Sequence, residues 1–406
     1  MTERLRVLFV DDDHNVLAGL RRSMHSYHDR CESLFAMSGQ EGLEILEKAP
    51  VDVVVSDMRM PSMDGAEFLT RVRDLYPGTV RIILSGYAAQ DSIMRTVGPA
   101  HLYLAKPCSP EVLLSAVTRP LALRKFLSSS QLRSTLSGLT TLPSLPEMFV
   151  ALENEFQSPN GSVQTVASII SHDVAMTAEL LKLTNSAYFA ASGRVSTPLQ
   201  AVRILGFETV QSLVLRIGIF RQLSATGNAA NIMRALDTYS VHLGMLSKAL
   251  AKAEGADDTV SGISYCVGLL STIGCLVLLD SYPDKMMEVL RRTEGEEITL
   301  ALAEEAAFGA NHGVVGAYLL GLWGFADPIV EAIAYVSQPS LSPVHDNMFL
   351  TALHGSTILG PTFPPTKPDT LPFEWDMSYI RSAGKEASLP KWRDMAIKMK
   401  AEWGDG

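Results

Sequence analysis

Residues 53–65 read VVVSDMRMPSMDG: three valines, then Ser56 and Asp57, then a proline-containing stretch that ends on Asp64 and Gly65. Consecutive β-branched residues without polar alternation describe a strand buried on both faces, the habit of parallel sheets covered by helices. The pattern extends in both directions. Before it stand RVLFV (6–10), a helix-spaced run from Val16 to Met24, SLFAM (33–37) and Leu43 to Leu46. After it come a helix from Gly65 to Leu75, RIIL (81–84), a short helix from Asp91, HLYLA (101–105) and a helix from Ser109. Five strands alternating with five helices between Arg4 and Phe126 predict a doubly wound α/β domain on a five-stranded parallel sheet.

The polar residues of this domain fall at strand ends. Strand one runs into Asp11, Asp12 and Asp13, strand three into Asp57, strand four into Ser85 and strand five into Lys106 and Pro107. In such sheets ligands bind beyond the carboxyl ends of the strands where strand order reverses, and in the flavodoxin-like order strands one and three flank that point. Like-charged carboxylates brought together destabilise one another, so a hard divalent cation held by oxygen, Mg²⁺, is expected among them. A carboxylate nucleophile, a metal, a hydroxyl and a lysine suit phosphoryl transfer, which is mostly positioning and charge neutralisation.

VLFVDDDHNVL (7–17), VVVSDMRMPSMDGAEFL (53–69), RIILSGYA (81–88) and HLYLAKPCS (101–109) together resemble the receiver domain of two-component response regulators. The resemblance covers about Arg4 to Phe126, with Met60, Pro61, Asp64 and Gly65 matching the loop after the acceptor. It implies that Asp57 accepts a phosphoryl group from a histidine kinase or phosphotransfer protein. Asp11, Asp12, Asp57 and the backbone carbonyl of Arg59 would hold Mg²⁺, Ser85 and Lys106 would bind phosphoryl oxygens, and Tyr103 would be the aromatic that turns as Ser85 is drawn in.

Beyond Leu127 the character changes. Small and polar residues lead into a proline-punctuated stretch ending at Pro146, and from Glu147 to about Tyr335 apolar residues recur at helical spacing, without a convincing strand pattern. The expected organisation is a first domain over 1–126, a helical connector over 127–142, an all-α domain over 143–360 and a proline-rich segment with a last helix over 361–406. Trp392, Met395, Met399 and Trp403 share one face of that helix, which is expected to dock on the all-α domain. Pro120 is expected to kink the helix from Ser109 or to start a fresh segment. Leu121, Leu123, Phe126, Leu127 and Leu132 offer apolar surface for a homodimer contact or for packing within the chain, and both readings stay open.

SLPEMFVALENEF (144–156), ASIISHDVAMTAELLKLTNSAYF (167–189), PLQAVRILGFETVQSLVL (198–215) and YCVGLLSTIGCLVLL (265–279) resemble the HDOD family, helical relatives of the HD phosphohydrolases. Those enzymes need His and Asp ligands converging on a metal that activates water. Where the resemblance places such ligands, this chain has Tyr239, Ser271, Thr272, Val336 and Ser337. It therefore implies a non-catalytic output domain without a metal, signalling by binding an unknown downstream protein. The alternative is a domain that keeps phosphodiesterase or nucleotide-binding activity through other residues. The pairs His28-Asp29, His172-Asp173 and His345-Asp346 are read as caps or solvated residues, with Asp173 the N-cap of the run from Val174 to Leu183. His242, His312 and His354 lie on apolar helical faces and are read as core histidines.

Composition agrees with a folded two-domain chain. The 406 residues are 19% charged and 47% hydrophobic, and 34 Lys+Arg against 44 Asp+Glu give a net charge of −10, which argues against nucleic acid and anionic lipid as partners. The longest apolar run, Cys266 to Leu279, is broken by Ser271 and Thr272 and short for a membrane helix. No signal-peptide core precedes the first aspartates, and the four cysteines form no CxxC, so a cytoplasmic location is expected.

Overall fold

The computed structural model describes residues 4–85, 99–124, 127, 129–139, 141–185, 195–214, 221–222, 228–295, 298–363 and 374–403. The chain divides into two compact units. One takes in Met1–Thr141 with Lys182–Arg194 and Gly321–Gly324, the other Leu142–Leu181, Val195–Leu320 and Phe325–Gly406.

The first unit is built on strands β1 (Leu5–Val10), β2 (Cys31–Ala36), β3 (Val53–Asp57), β4 (Val80–Ser85) and β5 (Leu102–Ala105), all parallel in the order β2-β1-β3-β4-β5. Strand order thus reverses beside β1 and β3, as the flavodoxin-like reading requires. Helices α1 (His14–His25), α2 (Gly39–Lys48), α3 (Gly65–Leu75), α4 (Pro110–Arg124) and α5 (Ser130–Gly138) complete the unit. Asp13, Ser38 and Asp64 cap α1, α2 and α3, each accepting a backbone N–H of the first turn, so the first and last of these caps fix where loops leave β1 and β3. Val53, Val54 and Val55 are buried, and Leu8, Val10, Val54, Phe68, Leu69 and Ile83 form a core on which Tyr103 packs. The helix expected from Asp91 lies outside the described residues. Helix α4 continues through Pro120 to Arg124 rather than starting afresh, because one lost hydrogen bond need not end a helix. Leu127 and Leu132 are buried within the single chain.

Connector helix α5 is tied to the sheet by a buried arginine at the start of β4. Arg81 donates to the carbonyls of Thr79 (3.0 Å), Pro99 (2.6 Å) and Ser137 (2.6 Å). The backbone N–H of Arg81 donates to His101 Nδ1 (3.0 Å), so His101 carries its proton on Nε2 and donates it to the Ser137 carbonyl (2.7 Å). Burial lowers the Arg81 guanidinium to about 10, still charged at neutral pH, and holds His101 well below its ordinary value, so the imidazole is neutral.

The second unit is largely helical: α6 (Pro146–Gln157), α7 (Val163–Ile170), α8 (Val174–Thr184), α9 (Pro198–Leu205), α10 (Phe207–Ser212), α11 (Asn228–Ala253), α12 (Asp258–Leu270), α13 (Ile273–Ser281), α14 (Pro283–Gly295), α15 (Leu300–Phe308), α16 (His312–Leu322), α17 (Asp327–Ala334), α18 (Met348–Leu359), α19 (Met377–Ser382) and α20 (Leu389–Trp403). One exception to the all-α expectation is a parallel ladder of two residues each, β6 (Pro143–Ser144) with β7 (Arg221–Gln222). Two residues are too few to show alternation in sequence. On α20, Trp392 is fully buried and donates to Glu254 Oε1 (2.9 Å), whose other oxygen accepts from Lys385 (2.6 Å); Trp403 stacks on His242 at 4.2 Å.

By length and composition the stretch Asp258–Ser281 could cross a membrane, so counting only uninterrupted apolar residues undervalued it. It folds as two core helices, with 83% of its most apolar window buried.

Candidate functional site

Three side chains converge beyond the carboxyl ends of the central strands. Asp11 follows β1, Asp57 ends β3 and Lys106 follows β5. The Lys106 ammonium donates to Asp11 Oδ2 at 2.6 Å and, in a shorter contact, to Asp57 Oδ1. Each carboxylate's second oxygen is taken by backbone: Asp11 Oδ1 accepts the N–H of Asp13 (2.9 Å) and Asp57 Oδ2 accepts the N–H of Arg59 (2.5 Å). Gly65 makes this loop possible, since a Cβ there would lie 2.1 Å from the Asp57 carbonyl oxygen while its N–H donates to Met58 at 2.9 Å. Any side chain at 65 would push α3 off the end of β3.

Two carboxylates share one ammonium, and that imbalance sets the electrostatics. Burial lifts the Asp57 carboxyl above its ordinary value; Lys106 and the Arg59 amide oppose the shift without cancelling it, and neighbouring Asp11 adds to it. Burial alone would lower Lys106, but its hydrogen bonds to Asp11 and Asp57 outweigh that and hold it more firmly protonated. The directions agree once the sharing is counted: Lys106 gains from two anions, whereas Asp57 has only part of one cation. Asp12 is exposed beside the cluster. The excess of hard oxygen donors over cationic charge fits Mg²⁺, which Asp11, Asp12, Asp57 and the Arg59 carbonyl would hold.

Ser85 closes β4 in register with Ala105, which places its backbone at the same edge; its side chain lies outside the described residues. Tyr103 pairs in register with Ile83 and packs half-buried on the core.

In the second unit Tyr239 lies on α11 and Ser271 and Thr272 stand between α12 and α13, the two latter hydroxyls committed locally. Ser271 Oγ donates to the Gly268 carbonyl (2.7 Å), Thr272 Oγ1 to that of Leu269 (3.1 Å), and Thr272 Oγ1 also meets Ser240 Oγ at 2.5 Å. Tyr239 packs on Phe363. Val336 is buried and its carbonyl accepts from His354 Nδ1 (2.9 Å), while Ser337 follows it half-buried. His354 Nε2 accepts the Asp376 N–H (3.1 Å), making it a satisfied neutral core histidine, its pKa lowered by burial. His242 is only half-buried, beneath Trp403. The pairs His28-Asp29 and His345-Asp346 are in exposed turns. Asp173 caps α8, accepting the N–H of Met176 (2.7 Å) and the hydroxyl of Ser144.

Sequence reasoning missed one cluster. Cys275 on α13, Glu304 on α15 and His312 at the start of α16 place thiol, carboxylate and imidazole atoms within 4.8 Å of one another. Glu304 is fully buried; its Oε2 accepts from the backbone N–H (2.8 Å) and Nδ1 (2.6 Å) of His312, and its Oε1 faces Cys275 Sγ at 3.6 Å. Burial would lower His312, yet Cys275 and Glu304 together raise it well above its ordinary value; burial pushes the Cys275 thiol up to about 11. Read singly, a cysteine in an apolar run and one leftover histidine gave no signal; only the close packing of α13 on α16 joins them.

Comparison with known proteins matches residues 7–118 to the response regulator receiver domain and residues 142–339 to the HDOD domain. An uncharacterized protein of Treponema pallidum is 27% identical over 194 residues, 48% of this chain and 37% of that protein. The hydrogenase transcriptional regulatory protein HoxA of Cupriavidus necator is 36% identical over 113 residues, 27% of this chain and 23% of its own length. The chain thus spans well under half of either relative. Among solved structures, the MmoQ response regulator from Methylococcus capsulatus aligns over 62% of this chain and 98% of its own, with 20% identity and a TM-score of 0.46.

Proposed function

We propose that this chain, whose residues 7–118 match the receiver domain and 142–339 the HDOD domain, is a response regulator whose signal is a phosphoryl group carried on Asp57. The observation that supports this is the Lys106 ammonium shared between Asp11 and Asp57 at the open edge of the sheet. A carboxylate oxygen of Asp57 attacks phosphorus, the bond to the donor's leaving group breaks, and the leaving group departs with its electron pair. Lys106, and Ser85 from the end of β4, then bind oxygens of the transferred group. Mg²⁺ held by Asp11, Asp12, Asp57 and the Arg59 carbonyl would supply the remaining charge neutralisation. The donor in the cell is a histidine kinase or phosphotransfer protein, and Tyr103 relays the change to the surface around α4.

The domains we propose are a receiver over 1–126, a connector over 127–142, the HDOD output over 143–360 and a C-terminal segment over 361–406. We assign the output a protein-binding role rather than a phosphohydrolase one. Ser271 and Thr272 close helix ends at the place where that chemistry needs imidazole and carboxylate, which supports this assignment. Intact-mass measurement after incubation with a small phosphodonor and Mg²⁺ tests the receiver half. One phosphoryl adduct is expected on the native chain and none on Asp57→Asn; an equal adduct on both would move the acceptor elsewhere.

A further inference from the structure

Outside the receiver pocket, the only group of three or more potential metal-ligating side chains among the described residues is Cys275, Glu304 and His312. We propose that this cluster is a binding site for a single borderline-soft divalent cation of the Zn²⁺ class, held by the Cys275 thiolate, the Glu304 carboxylate and the His312 imidazole. The donor set is mixed sulfur, oxygen and nitrogen, which Zn²⁺ accepts and which Mg²⁺ does not favour. Ligand atoms on a tetrahedral Zn²⁺ stand roughly 3–4 Å apart, given Zn–S near ~2.3 Å and Zn–N near ~2.0 Å. Here Sγ and the carboxylate are 3.6 Å apart and the carboxylate and Nδ1 are 2.6 Å apart, so small rotations open the space.

A further feature supports the assignment. The site is built by a backbone-to-backbone crossing: a Cβ on Gly274 would lie 1.9 Å from the His312 carbonyl oxygen, so only glycine lets Cys275 and His312 come together from α13 and α16. The His312 side chain is 17% exposed while that of Glu304 is fully covered, so the imidazole is the ligand of this set nearest to solvent. This donor set is distinct from Tyr239, Ser271, Thr272, Val336 and Ser337, whose lack of ligand groups led to the expectation of no metal in this domain.

The experiment is Co²⁺ and Zn²⁺ binding to the full chain in excess Mg²⁺, which keeps the receiver pocket occupied. One Zn²⁺ per chain should survive dialysis, and Co²⁺ should give a thiolate-to-cobalt charge-transfer band. The band should vanish in Cys275→Ala and in His312→Gln. It should persist in a chain carrying Cys31→Ala, Cys108→Ala and Cys266→Ala, where Cys275 is the sole thiol. No retained Zn²⁺ and no Co²⁺ band in the native chain would overturn the proposal whether or not the variants fold, and so would a Co²⁺ band insensitive to Cys275→Ala.

Discussion

The pocket at Asp57 and the junction at Thr272 both gather polar side chains at the ends of regular elements, yet they are opposite in balance. At Asp57 two carboxylates compete for one ammonium. At Thr272 the Ser271 and Thr272 hydroxyls are spent on carbonyls one turn back and on Ser240. The lesson is physical: unbalanced charge held open at a sheet edge asks for a ligand, whereas hydroxyls folded back on their own helices complete a core.

The largest effect expected from disturbing this contrast is at Lys106. Lys106→Met leaves Asp11 and Asp57 facing each other without a cation, so phosphoryl uptake should fall about 10²- to 10³-fold. Stability in a chelator should fall by about 3 kcal/mol, an uncompensated charge pair being the cause, and Mg²⁺ should restore most of it. Denaturant melts with and without Mg²⁺ separate the two; equal loss in both would mean that charge balance is not what Lys106 supplies.

Next in size is the pair of buried Asp173 and half-buried Asp237. Burial raises Asp173 to about 6 and, with the charge of Asp173, raises Asp237 well above its ordinary value. A carboxyl whose folded pKa exceeds its unfolded value binds more protons when folded, so its contribution is fully present below about pH 4 and is lost as pH rises towards 6. Asp173→Asn keeps the cap on α8 and removes that loss. Its stability relative to the native chain should therefore grow from nothing near pH 4 to about 3 kcal/mol at pH 7. A pH-independent difference would show that Asp173 does not titrate in this window.

Much of the first domain was legible in sequence because strand ends are marked locally: VLFV before Asp11, VVVS before Asp57 and HLYLA before Lys106 each carry their own position. The pocket follows once strand order is assumed. The Arg81 and His101 clasp on Ser137 was not legible, since RIIL reads as an ordinary strand start and nothing in it says that the arginine is buried. The Cys275, Glu304 and His312 cluster was hidden for a related reason: its members come from three helices, and only the glycine-mediated approach at Gly274 brings them together. Sequence also placed Tyr239, Ser271 and Thr272 by resemblance alone, and the hydrogen bonds of Ser271 and Thr272 supply what resemblance does not, the use each of these two side chains is put to.

The smallest effect is expected at the junction itself. Thr272→Val should cost only about 1 kcal/mol, because Ser240 retains the Leu236 carbonyl as a partner. Phosphoryl uptake should be unchanged, and a large loss of uptake would contradict the division between a receptive pocket and a closed junction.

The most direct test locates the acyl phosphate chemically. Borohydride reduces an aspartyl phosphate to homoserine, and peptide mass mapping then reads its position. After treatment with a small phosphodonor and Mg²⁺, homoserine is expected at residue 57 and nowhere else in the native chain. Homoserine at residue 11 or 12, or none in a chain that carries the phosphoryl mass, would contradict Asp57 as the acceptor.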